Sequence, residues 1–420
     1  MQSDQIYFLI TCIAMVLFMT PGLAFFYGGL VRASSVVSMM MMSFGALALV
    51  SILWIAYGYA MAFSGAGSDS YLGFDGTLGI DTNSIFLNQF LDERMSFDLV
   101  FAAFQGTFAV ITVALISGAI ADRARFGSWM VFAGIWATVV YFPIAGWVFN
   151  FTLDDSGAIV DGGWLVKDVG LLDFAGGTVV EVGSGAAALA VALVLGKRFG
   201  FRKGMYAPHN VPLTLIGAGI LWFGWFAFNA GSQLAADGIA SLAFLNTLVA
   251  PAAAMLSWAA FERITSGKPT AVGIASGAIA GAVAITPSCA FLDPIWAIVL
   301  GLVVGVVCAW AIELKFALGF DDSLDVVGIH LVGGIVGTLS IGFFGRGVGL
   351  FFGHSADQLI SQAIGVLAVG IYSFAMAYLI ALGIEKTIGF RVQSVDEEAG
   401  IDPIQHGQLG YHAEDPRWKA

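Results

Sequence analysis

Eleven apolar runs, most of them long enough to cross a bilayer, follow one another along this 420-residue chain. A hydrocarbon core of about 30 Å takes roughly 20 apolar residues per helix. The runs lie near 6–30, 37–63, 99–121, 127–150, 171–195, 212–232, 238–261, 270–287, 291–314, 328–345 and 358–384, with 270–287 the shortest. Only 11% of the residues are charged against 59% hydrophobic, whereas a soluble domain carries roughly 25% charge. The sequence therefore predicts an all-α polytopic membrane protein with eleven transmembrane helices. The 54 glycines, about twice the usual share, read in a bilayer as helices packed backbone to backbone. The first run has no basic leader and continues past Pro21 towards Leu30, so it reads as a span rather than a cleaved signal peptide.

Lysine and arginine set the orientation, since they concentrate on the cytoplasmic side. With the N-terminus outside, Arg32, Arg123, Arg125, Lys197, Arg198, Arg202, Lys203, Arg263, Lys268, Lys315, Lys386 and Arg391 fall at inner ends, with Arg417 and Lys419 in the tail. Arg94, Lys167 and Arg346 alone fall outside. The expected topology is N-out/C-in, with 1–390 as the membrane domain and 391–420 as a cytoplasmic tail. The outer loops carry Asp69, Asp75, Asp81, Asp92, Glu93, Asp98, Asp154, Asp155, Asp161 and Asp168. They read either as a solvated rim or as a mild attraction for cations. A net charge of -12 argues against nucleic acid as a partner. Cys12, Cys289 and Cys308 sit in apolar runs without ligand spacing, so neither a disulfide framework nor a metal site is indicated.

Two segments share a layout: Asp173-FAGGTVV-Glu181, followed by Ser184-Gly185, and Asp322-SLDVVGI-His330, followed by Gly333-Gly334. They fall in runs five and ten. Five spans per half is an odd number, so the second half enters the membrane from the opposite side. The chain thus reads as two inverted five-helix repeats plus a final helix, with runs five and ten packed at the pseudo-twofold axis. Eight residues of helix rise about 12 Å, which sets each Asp near a helix start as an N–H cap and each partner near mid-membrane. Asp325 reads as either a cap or a reactive group. Ionisable residues inside a membrane are costly and mark pathways, and Glu181 and His330 are the clearest such cases.

The motifs FMTPGLAFFYGGLVR, FQGTFAVITVALISGAIADR, LDFAGGTVVEV, LWFGWFAFNAGS, SGAIAGAVAITP and DVVGIHLVGGIVGT together resemble the Amt/Mep/Rh ammonium transporter family. The likeness spans essentially the whole chain, and the tail, with GFRV, EEAGID and QHG, is similar to that of prokaryotic Amt proteins. It implies a homotrimer in the cell (inner) membrane, in contact with lipid, with one hydrophobic pore per subunit. Position by position, Phe108 and Phe228 resemble the stacked phenylalanine gate. Ser232 resembles the hydroxyl of the outer recruitment site, with Trp225 close to it, and Asp173 the aspartate supporting that site. Glu181 and His330 fall at the positions of the twin-histidine pair. Two departures stand out. Glu181 replaces the first histidine, as in some fungal Mep members, and Phe149 stands where a tryptophan is expected, with Trp147 two residues earlier. Phenylalanine offers the weaker cation–π face.

The implied function is ammonium transport: recruitment of the cation at an aromatic and hydroxyl mouth, deprotonation, and passage of neutral ammonia past a Glu181/His330 proton relay. Ammonium, and methylammonium by the same chemistry, are the implied substrates, with no cofactor. Potassium, which has no proton to give up, is excluded by an apolar bore in which a bare charge is expensive. The alternative is an ammonium sensor with little transport. The tail is too short for a fused kinase or cyclase domain, so such a sensor signals through a separate partner. The resemblance implies a PII-type regulator on the tail and the 197–203 loop; otherwise the tail ties adjacent helices together. An enzyme is the remotest reading, because no nucleophile–base or metal-ligand constellation appears.

Overall fold

The computed structural model describes residues 2–63, 71–74, 76–92, 96–154, 159–201 and 207–411. Asp69, Asp75, Glu93, Arg94, Asp155, Arg202, Lys203, Arg417 and Lys419 lie outside the described residues. Among the described residues ten helices are long and apolar enough to cross a membrane, and one apolar helix is shorter. In chain order they are α1 (Ser3–Leu30), α2 (Ala33–Ala62), α3 (Phe97–Ile120), α4 (Phe126–Phe149), α5 (Gly177–Leu195), α6 (Val211–Gly231), α7 (Gly238–Thr265), α8 (Ala271–Ile285), α9 (Pro294–Leu318), α10 (Val327–Phe344) and α11 (Asp357–Thr387). Two small antiparallel hairpins, Tyr71–Phe74 with Leu78–Asp81 and Phe151–Leu153 with Ile159–Gly162, sit in the loops after α2 and α4.

Glycine decides which helices touch. α1 lies along α6, α5 packs on α10 and α11, and α7 packs on α8 and α9. On α1, a methyl group at Gly22 would stand 2.6 Å from Ile220 of α6, and one at Gly217 of α6 would stand 2.1 Å from the backbone nitrogen of Phe26. The α5–α10 crossing repeats this reciprocity. A methyl at Gly185 would meet the Leu331 nitrogen at 2.4 Å, and one at Gly334 would meet Cβ of Glu181 at 2.8 Å. Gly185 and Gly334 each lie four residues, about one turn, after their own span's ionisable residue. The small pairs after Glu181 and His330 thus bring the two backbones into contact.

α5 starts later than the apolar run. Residues 172–176 are not helical, and Gly176 adopts φ +111°. Glu181 therefore lies in the second turn of its helix rather than two turns beyond a helical Asp173. His330 likewise lies in the first turn of α10. α8 runs for 15 residues, and the chain then continues in buried turns to Pro294.

The tail from Arg391 to Tyr411 is laid across the helix ends. The buried Glu397 carboxylate accepts from Arg391 (2.7 Å) and from the backbone of Phe199 (2.6 Å). Asp402 caps α2 by accepting from Val37 (2.9 Å) and Ser38 (2.7 Å), and Gln405 bonds Phe126 and Ala124 at the start of α4. Beside it, Arg198 bridges Asp321 at 2.9 Å and Asp122 at 3.3 Å. Burial alone would push the Asp321 carboxyl up, but the Arg198 guanidinium holds it below the ordinary range.

Gly185→Val should lower stability by about 3 kcal/mol or more, since overpacking alone costs about 1–3 kcal/mol and the obstacle here is backbone. Gly219→Ala on α6, with no atom within 4 Å, should be neutral or stabilise by up to about 1 kcal/mol. Thermal unfolding of the detergent-solubilised protein checks both.

Candidate functional site

Asp173 builds the turn that aims Glu181. One carboxylate oxygen accepts from the backbones of Gly176 (2.8 Å) and Gly177 (2.7 Å); the other accepts from the Thr178 backbone (2.7 Å) and the Thr178 hydroxyl. These are the free N–H groups that begin a helix, and a carboxylate is their strongest partner. Asp322 does the same for α10, accepting from Val327 at 2.7 Å. Asp325 pairs with the buried Lys315 ammonium.

Glu181 and His330 meet across the α5–α10 crossing. His330 Nδ1 lies 2.6 Å from Glu181 Oε2, and His330 is 3% and Glu181 1% exposed. Both sit in single turns of π-helix, at Gly177–Val182 and Val327–Leu331. Such turns bulge the backbone and recur at functional sites.

Phe108 of α3 and Phe228 of α6 stack with ring centroids 4.1 Å apart and planes 24° from parallel; both are buried. Between Phe228 and the Glu181/His330 pair lies a cavity of about 10 Å³, walled by Leu23, Ile111, Leu221, Trp225 and Ile279 among others. That is about the least space that holds one water-sized molecule.

Trp225, Phe228 and Ser232 recur at the three- and four-residue spacing of one helix face. Ser232 stands one turn beyond Phe228 and donates its hydroxyl to the Phe228 carbonyl at 2.8 Å, leaving its lone pairs as acceptors. Trp225 stands on the other side of the phenylalanines from Ser232. It is 3% exposed, lines the cavity with Glu181 and His330, and donates its indole N–H to Thr286 Oγ1 at 2.8 Å. The sequence grouped it with Ser232 at the mouth because the two share a motif, but seven residues of helix separate them by about 10 Å.

Phe149 lies at the end of α4 against the Asp173 turn; a methyl at Gly176 would be 3.7 Å from its Cζ. Trp147 faces elsewhere, packing on Trp164 and Tyr372 with its N–H towards the Thr77 carbonyl. It does not stand in for Phe149. The sequence alone does not single out Thr286. Its signal there is a lone hydroxyl ending an Ala/Gly run before Pro287.

The model of the Ammonium Transporter Family matches residues 7–411. An ammonium transporter of Mycobacterium tuberculosis is 48% identical over 423 residues, covering 95% of this chain and 88% of that one. The crystal structure of Candida albicans Mep2 superposes with a TM-score of 0.82 at 33% identity, covering 99% of this chain and 92% of that one. A structure titled Sensor Amt Protein gives a TM-score of 0.86 at 28% identity, covering 95% and 97%.

Removing the Asp173 carboxylate strands several buried donors, so Asp173→Ala should destabilise by at least about 2 kcal/mol, and Asp173→Asn by less. Thermal unfolding in detergent measures the order.

Proposed function

The chain belongs to the Ammonium Transporter Family and is an ammonium transporter in a multi-pass membrane protein, and we propose that it works by splitting its substrate. Ammonium is recruited at a mouth formed around Ser232 and Phe149. It loses its proton beyond the Phe108/Phe228 gate, and ammonia continues alone. The observation that carries this reading is the 2.6 Å Glu181–His330 pair at the wall of a cavity sized for one small molecule.

Physical chemistry supports the split. A bare cation in an apolar cavity costs several kcal/mol or more, and cation–π contacts of about 0.5–2 kcal/mol at the mouth do not offset that. Ammonia is neutral and fits. With Nδ1 engaged by Glu181, His330 Nε2 is the nitrogen that takes the proton, and the imidazolium so formed rests against the carboxylate. The N–H bond of ammonium breaks, ammonia keeps the lone pair, and the proton passes to the pair. Asp173 acts by positioning the Glu181 turn, and Trp225 by walling the cavity.

The same reading carries the architecture. Eleven spans, with α8 crossing as a short helix completed by the turns after it, form two inverted five-helix repeats plus a final helix. The reciprocal glycine contacts of α1 with α6 and α5 with α10 support this, because those are the pairs a twofold axis would map onto themselves. The orientation is N-out/C-in, the assembly a homotrimer and the location the cell (inner) membrane. Residues 391–420 form a cytoplasmic tail with a surface for a PII-type regulator. As a transporter the protein is not an enzyme.

In proteoliposomes under an ammonium gradient, Glu181→Gln should reduce the current roughly a hundredfold, the scale of a lost acid–base group. An unchanged current with unchanged pH dependence would sink the relay. Phe149→Trp should lower the apparent KM for ammonium roughly two- to fivefold through the stronger cation–π face; the KM from uptake at several ammonium concentrations checks this.

A further inference from the structure

α8 ends early, and the turns beyond it join the gate to the relay. Thr286, Ser288 and Cys289 are fully buried in these turns. Buried turns need partners for their polar groups, and here the partners come from neighbouring spans. The Asn246 amide of α7 donates to the carbonyls of Cys289 and Leu292, both at 2.8 Å. The Phe174 N–H, beside Asp173, donates to the Pro287 carbonyl at 3.1 Å. A methyl at Gly177 would lie 2.4 Å from the Pro287 ring, so the first turn of α5 rests on this segment.

Thr286 reaches the other way. Its hydroxyl donates to the Ala282 carbonyl at 2.8 Å, which fixes the rotamer and leaves a lone pair as the acceptor for the Trp225 indole N–H at 2.8 Å. With its N–H taken, Trp225 shows the cavity only apolar ring, centred 5.9 Å from the Phe228 ring. The cavity is so small that a modest tilt of this indole changes what fits.

We propose that Thr286 is a specificity-determining positioning residue: by holding the Trp225 indole, it sets the cavity to ammonia and against its methylated analogue. The proposal rests on the cavity being the path of the transported species. Without the Thr286 oxygen, the indole N–H is a buried donor without a partner, which is costly. The indole then leaves the position that Thr286 had fixed, and the wall of the cavity opens.

The readout is the ratio of methylammonium to ammonium uptake in proteoliposomes, which is independent of how much folded protein each preparation holds. Thr286→Val, nearly isosteric, should raise the ratio roughly two- to tenfold, the worth of one positioned neutral hydrogen bond. Thr286→Ser should keep the wild-type ratio. Trp225→Phe, which lacks the N–H, should raise the ratio by itself, and adding Thr286→Val to it should change nothing further. A wild-type ratio in Thr286→Val, or an equal further rise in the double variant, would overturn the proposal. Leu221→Trp, whose ring would fill the cavity, tests the path separately. It should block both amines, and retained uptake would remove the path reading, whatever Thr286 does.

Discussion

An acid and a base held together in an apolar interior are stable only if their separation is fixed by something other than water. Here the glycines fix it. Gly185 and Gly334, each one turn past its own span's ionisable residue, let α5 and α10 approach until Glu181 and His330 stand 2.6 Å apart. Any side chain at those glycines would separate the helices by about its own width and leave two buried polar groups without partners, a penalty of several kcal/mol per charge. The remaining elements of the site adjust to this crossing. Asp173 and Asp322 tie down the first turns, so the partners are presented at fixed depth.

A second constraint is that the helix ends inside the protein must be capped from elsewhere. α8 is the clearest case. It stops after 15 residues, and its trailing turns are satisfied by Asn246, Phe174 and Trp225, which belong to or adjoin three other helices. A break that would be ruinous against lipid is tolerated because it is buried in protein. It also places Thr286 against Trp225 of α6 and Pro287 against Gly177 of α5, one polar and one rigid.

The apolar runs in the sequence were enough to read the class of fold, because bilayer thickness leaves few ways to satisfy a backbone. The Glu181/His330 meeting was legible too, since ionisable residues are too costly in hydrocarbon to recur at matching places in a repeat without a partner. Three features were not legible. The late start of α5 depends on Gly176 adopting a left-handed φ, which hydropathy does not register. The depth of Trp225 was lost because neighbours in a motif are separated along a helix by 1.5 Å per residue. Thr286 acquires its partner only when α6 and α8 pack, so nothing local to it in the chain announced the bond. In the sequence the tail reads as either a partner surface or a tie between helices; Glu397, Asp402 and Gln405 do bond helix ends, and a tail so held is also a fixed surface.

The reciprocal crossings carry one more consequence. Gly217 faces the Phe26 backbone and Gly185 the Leu331 backbone, while Gly22 and Gly334 face the Ile220 and Glu181 side chains, so each half is keyed into the other at two places. Sliding one half past the other would drive main chain into main chain. Such a molecule has little freedom for the slow rocking of whole domains, whose period is microseconds to milliseconds. What is left to move is small: two stacked rings, one indole and a proton. On the proposed path, a passing molecule then asks for side-chain rotation rather than for a hinge.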